Sequence, residues 1–198
     1  MHTYTAKTFD LPSLEGISTK QVEVHLKLYQ GYVTHTNLIR EKRAELSPDK
    51  EKNAFIINEL RRRFAFEWDG MRMHEYYFEQ FEGGANPPAD SGPLLSAIVD
   101  KYQSMDGFRN HFEEVALSRG IGWTVLTYDP IGKTPHVSWV SDHELGQLAG
   151  LPVILALDMW EHAFMVDYVP GEKKKYIEAF FKNLNWQTIE ARMNAAAK

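Results

Sequence analysis

The 198-residue sequence predicts an α+β fold: a long antiparallel helical hairpin at the N-terminus, then a C-terminal α/β domain with a three-stranded antiparallel sheet. Three observations predict it. Two stretches of helical periodicity run between residues 18 and 81, parted only around Ser47-Pro48. Residues 82–93, EGGANPPADSGP, have the glycines and prolines of a connection. After residue 120 come three short apolar runs rich in β-branched and aromatic residues, separated by turn formers.

Taken in order, Ser18-Thr-Lys-Gln21 has the spacing of a capping box and opens a helix over about 18–46. Val22, His25, Tyr29, Tyr32 and Val33 fall on one stripe of it. A second helix is predicted over about 50–81, with Leu60, Phe64, Met71, His74 and Phe78 on one face. A short connection between long helices favours antiparallel pairing. The linker divides a domain 1–85 from a domain 90–198. Helices are predicted at 91–103 and 106–118, and strands at 121–129, 136–141 and 152–158, the first two joined by a hairpin-like turn over Pro130–Pro135. Further helices are predicted at 159–168, 172–184 and 186–197.

Composition narrows the function. At 43% hydrophobic and 25% charged, the chain can bury a sizeable core. A net charge of −5 argues against a nucleic-acid partner, and the clusters Arg61–Arg63 and Lys173–Lys175 read as solvated helix faces. No apolar run reaches the ~18 residues of a membrane helix. The N-terminal residues lack the basic start and apolar stretch of a signal peptide. With no cysteine, disulfides and thiolate sites are excluded, and a cytoplasmic location is expected.

The chemistry gathers around DMWEHAFMVDY, residues 158–168. The apolar run GLPVILALD ends on Asp158, and an unpaired buried carboxylate is costly unless a cation faces it. His162 follows one helical turn later. Of the eight histidines, His2, His35, His111 and His136 sit in polar or turn settings and read as surface residues. His25 and His74 lie on the apolar stripes of the two long helices. In an antiparallel pair they meet at one level, because His25 lies about as deep from the start of the first helix as His74 from the end of the second. Three imidazoles and a carboxylate suit iron, manganese or zinc. A structural zinc site would be closed by its four ligands, and a non-haem oxygenase leaves a wider open face. One open position instead suits a small molecule that exchanges one electron and leaves.

DMWEHAFMVDY resembles the D-x-W-E-H-A-x-x-x-D-Y signature of the iron/manganese superoxide dismutases. EVHLKLYQGYV (23–33), MRMHEYYF (71–78) and GIGWTVL (120–126) are similar to that family's two ligand helices and its glycine-tryptophan segment. The resemblance implies His25, His74, Asp158 and His162 as metal ligands, for one iron or manganese ion per subunit, with activity open to either. It implies Tyr32 as the tyrosine at the substrate entrance, with Trp123 and Trp160 lining the pocket and Tyr77, on the second ligand helix, among the residues around the ligands. It further implies a homodimer or dimer of dimers in which Glu161 bonds His162 of the partner subunit. Superoxide would be the substrate, oxidised to dioxygen in one half-reaction and reduced to peroxide in the other.

Some positions depart from the pattern. Family members carry a glutamine that bonds metal-bound solvent, either on the second helix, where this chain has Gly70, or near the last strand, where it has His143. His143 is therefore assigned that role. The spacing from His25 to Tyr32 is one residue short, so Leu28 stands where a histidine is usual, and Met165 stands where its tyrosine partner is usual. The gate is expected to be apolar, and positive steering is expected from Lys173 or Lys27. A metal-binding protein of the same fold without turnover is the alternative reading.

Overall fold

The structure, a computed structural model, describes residues 2–198. Helices α1 (Thr19–Leu46) and α2 (Ala54–Glu79) form the hairpin, joined through a 3₁₀ turn at Ser47–Asp49. Helices α3 (Pro93–Tyr102) and α4 (Met105–Ala116) precede strands β1 (Gly122–Asp129), β2 (Thr134–Ser141) and β3 (Val153–Asp158). Helices α5 (Lys173–Lys182) and α6 (Trp186–Ala196) close the chain. The sheet order is β2-β1-β3 with both pairings antiparallel, so the fold class read from sequence holds.

Ser18 caps α1 by accepting from the Gln21 backbone N–H at 3.1 Å. The other half of the expected capping box is absent. Gln21 is buried and turns its amide inward, donating to the His162 carbonyl at 2.6 Å and accepting from Val166 N–H at 2.9 Å. Those two backbone groups are the pair that one turn of α-helix would join. Asp158 Oδ1 also takes the Trp160 N–H at 2.8 Å. The helix expected over 159–168 is accordingly reduced to a 3₁₀ turn at Glu161–Ala163 and further turns. Likewise α2 starts at Ala54 rather than near 50, because Pro48 tightens the connection and Asp49 holds the backbone of Lys52 and Asn53.

Strand β1 is the central strand and is buried along nearly its whole length, which explains its almost unbroken apolar run. Edge strand β3 meets the end of α2 through Gln80, whose side chain donates to the Ala156 carbonyl at 2.6 Å and accepts from its N–H at 3.3 Å. Arg192 on α6 adds bonds to the carbonyls of Ile154 and Tyr76. One apolar core, running from Tyr29, Met71 and Phe78 to Trp123, Leu155 and Phe180, is shared by the hairpin and the sheet. The connection between them is tied down as well: Asn86 Nδ2 bonds Asn185 Oδ1 at 2.5 Å. Among the described residues no helix is long and apolar enough to cross a membrane.

Candidate metal centre

His25 stands on the second turn of α1, His74 near the end of α2, Asp158 at the last position of β3 and His162 in the 3₁₀ turn that follows. Their ligating atoms all lie within 4.8 Å of one another. Asp158 Oδ2 is 3.0 Å from His25 Nε2, 3.1 Å from His162 Nε2 and 3.5 Å from His74 Nε2. The hairpin and the β3 end thus converge on one buried point.

The donor set fits a metal ion. His74 Nδ1–H donates to the Gly70 carbonyl at 2.6 Å, which leaves a lone pair on Nε2, and that buried atom has no hydrogen-bond partner. Burial lowers the pKa of His25 and His74, keeping both imidazoles neutral with lone pairs free. Burial alone would raise the Asp158 carboxyl, but the His162 and His25 imidazoles together outweigh it and hold it below the ordinary carboxylate range. A fully buried carboxylate with three imidazole nitrogens around it can take a cation at the shared point as its counter-charge. Tyr176 Oη donates to the Asp158 carbonyl at 2.9 Å and meets Tyr77 Oη at 3.1 Å, which fixes the strand end behind the ligands. Tyr77 itself packs 4.8 Å from the His25 ring.

On the opposite side lies a chain of hydrogen bonds. Trp123 Nε1–H donates to His143 Nδ1 at 2.9 Å, and His143 Nε2 lies 2.8 Å from Tyr32 Oη. Indole can only donate, so Nδ1 accepts and Nε2 carries the imidazole hydrogen, which points at Tyr32 Oη. Tyr32's own hydrogen is thereby left free, whereas His143 has both ring nitrogens engaged, so the role expected for it from sequence, bonding metal-bound solvent, is not open to it in this arrangement. Trp160 stacks on His143 at 4.9 Å and anchors its indole on the Asp142 carbonyl at 3.0 Å. Burial keeps His143 neutral by pushing its pKa down to about 4, and burial, then the Asp158 charge, raises that of Tyr32.

Gly70 is explained by the same wall. A Cβ there would lie 2.6 Å from Tyr32 Cδ1, so the ring occupies the space a longer residue would need. The sequence reading missed Phe66, whose ring lies 4.6 Å from His143. Its signal was present: 66, 70, 74 and 78 share one helical stripe. Arg61–Arg63 are all exposed, as expected of a solvated face, and Arg63 in addition stacks 3.6 Å over Phe66 and bonds Glu67 at 2.8 Å. Glu161 is exposed, as are Leu28 at 37% and Met165 at 48%. His2 and His35 are exposed, while His111 and His136 are half-buried, all away from the ligands.

Three imidazoles around a buried carboxylate, beside a tyrosine whose hydrogen is free, form a set of side chains that could hold one metal ion. Residues 90–192 match the C-terminal domain of iron/manganese superoxide dismutases. The chain is 33% identical over 192 residues to an iron superoxide dismutase of Aquifex aeolicus, covering 94% of this chain and 88% of that one. To the iron enzyme of Cupriavidus metallidurans it is 34% identical over 188 residues, with coverages of 93% and 92%. To a manganese enzyme of Corynebacterium diphtheriae it is 34% identical over 146 residues, with coverages of 72% and 71%. The chain belongs to the iron/manganese superoxide dismutase family. It is a metal-dependent oxidoreductase whose cofactor is iron or manganese.

Proposed function

We propose that the chain dismutates superoxide to dioxygen and hydrogen peroxide at one metal ion per subunit, held by His25, His74, Asp158 and His162. The observation that carries this reading is the unpartnered Nε2 of His74, aimed at a buried carboxylate that two further imidazoles approach. Iron or manganese, when bound, supplies a one-electron couple able to oxidise one superoxide and reduce the next. Every other part of the reaction falls to the side chains.

Anionic Asp158 favours the higher oxidation state, and the neutral imidazoles leave the balance of charge to it. Reduction of superoxide to peroxide consumes protons. Tyr32 is placed to deliver one, because His143 Nε2–H satisfies its oxygen and leaves its hydrogen free. Trp123 fixes the tautomer that makes this possible. Trp160, Phe66 and Trp123 surround His143 with aromatic rings, a lining that suits a small anion better than the wider cavity of an oxygenase.

The finer assignments belong to the same proposal. Leu28 and Met165 form an apolar gate, so proton delivery leans on Tyr32. The enzyme works as an antioxidant in the cytoplasm, as a homodimer or dimer of dimers, without a nucleic-acid or membrane partner. Glu161 reaches across the dimer to His162 of the partner subunit, whose Nδ1 needs an acceptor to orient the ring. Residues 1–85 and 90–198 are its two domains. Lys173 or Lys27 steers the substrate.

Reloading apo-protein separately with iron and with manganese, then measuring superoxide removal, tests the reading. Activity with one metal assigns the cofactor, and activity with both means that the same four residues serve either ion. Tight loading of each without turnover would overturn the enzyme in favour of a metal-binding protein of the same fold.

A further inference from the structure

An open cavity of about 540 Å³ lies at the far end of the hairpin, where α1 finishes and α2 begins. Arg40 and Arg43 project into it from the last turns of α1, Lys50 from the connection and Arg61 from α2. Ala44 and Ala54, small residues where the two helices meet the connection, leave the space open. Along α1, Arg40 and Arg43 stand roughly 22 to 27 Å beyond His25, so the cavity is separate from the metal centre.

The four cations are not matched by carboxylates. None of the lining residues is acidic. Two neighbouring acids are engaged elsewhere, Glu45 with Lys42 at 2.7 Å and Glu59 with Arg62 at 2.9 Å, and among the described residues Glu41, Asp49 and Glu51 form no ion pair with the four cations. Arg61 donates to Asn58 Oδ1 at 3.0 Å and Arg40 to the His2 carbonyl, both neutral acceptors that leave the positive charge in place. Helix-dipole complementarity accounts for Arg43 in the last turn of α1, but not for Lys50 beside the N-terminus of α2, an end that disfavours cations. In a chain of net charge −5, such a cluster runs against the overall sign.

We propose that this cavity binds a linear oligophosphate of two or three phosphoryl groups, either a free inorganic ion or the tail of a nucleotide. Guanidinium forks match phosphate oxygens in pairs, and three forks with one ammonium call for several negative charges in a row. A monovalent or divalent anion would leave cations facing one another. The first turn of α2 adds to this, since the Asn53 side chain donates to the Leu46 carbonyl at 3.3 Å and does not cap the helix N–H groups, and Ala54 is part of the lining.

The test is calorimetric titration of metal-loaded protein with sodium triphosphate, ATP and orthophosphate, without magnesium, at low and moderate salt. Saturable triphosphate binding is expected, weakened by salt and at least about tenfold tighter than orthophosphate. Tighter binding of ATP than of triphosphate assigns the nucleotide; equal or weaker binding assigns the free ion. Arg43→Ala/Arg61→Ala is expected to lose at least about tenfold in affinity with dismutation unchanged, and Arg43→Lys/Arg61→Lys to lose less. Should the alanine pair fail to fold, Arg43→Gln alone is read in the same way. No saturable heat, orthophosphate binding as tightly, or variants that bind like the parent would each overturn the proposal.

Discussion

A glutamine at position 143 could accept from Trp123 through its carbonyl and donate to Tyr32 through its amide, so His143→Gln keeps both hydrogen bonds and removes only the titration. Burial pushes His143 down to about 4, against about 6.5 for an exposed imidazole. The unfolded chain therefore takes up the proton first as pH falls. Stability contributed by the neutral buried ring is complete above about pH 6.5, is lost between there and pH 4, and amounts to about 3 kcal/mol. His143→Gln is expected to flatten that part of the stability curve, read by denaturant unfolding of apo-protein across the pH range. An unchanged slope would mean that His143 does not titrate on unfolding. At Gly70 the constraint is volume. Gly70→Ala puts a methyl group 2.6 Å from the Tyr32 ring. It is expected to cost about 1–3 kcal/mol and to lower turnover with the fold retained, checked by melting and by superoxide removal.

Gln21 joins α1 to the turn carrying His162, and it does so by occupying the backbone pair that would otherwise start a helix. Removing the amide takes the side-chain partner from the half-buried His162 carbonyl and from the Val166 N–H. Gln21→Ala is expected to destabilise the protein by about 1–3 kcal/mol and to weaken metal retention by about 10- to 100-fold, measured by competition with a chelator. Retention equal to the parent would show that the turn holds His162 without α1. The same logic applies where α2 meets β3. Gln80 acts there as a one-residue strand partner for Ala156, so the hairpin is bonded to the sheet as well as packed on it.

For the molecule as a whole, the exposed apolar residues near the ligands matter most. Val24, Leu28, Met165 and Val166 are each more than a third exposed, around the one ligand, His162, that is not fully enclosed. A second copy seated there would cover them and bring Glu161 to the partner. Glu161→Ala is then expected to shift the protein toward monomer in sedimentation and to loosen metal binding; an unchanged oligomer that holds its metal would count against the bridge. Leu28→His/Met165→Tyr restores a polar pair at the gate and is expected to raise the ceiling on turnover under saturating superoxide. No gain would show that Tyr32 and His143 already supply protons fast enough.

Local chemistry was enough to place most of this molecule. The stripes of α1 and α2, the strand runs and the DMWEH segment follow from periodicity and from the cost of burying Asp158, and so did the four-residue cluster. Phe66 is legible on the stripe through Gly70 and His74, whereas nothing in a run of three exposed arginines marks Arg63 as the one that stacks on it. Other features could not be read from neighbours in sequence. Gln21 satisfies Ser18's capping-box spacing equally well whether its amide turns back or inward, and only the approach of the segment after β3 decides between them. That approach also abolishes the helix expected over 159–168. The sequence by itself determined the elements and the ligand types, because spacing and burial are properties of a segment and its solvent. Only the tertiary structure decided the His143 tautomer, the filling of Gly70's space by Tyr32 and the cationic cavity at the hairpin end, because each depends on distances between residues far apart in the chain.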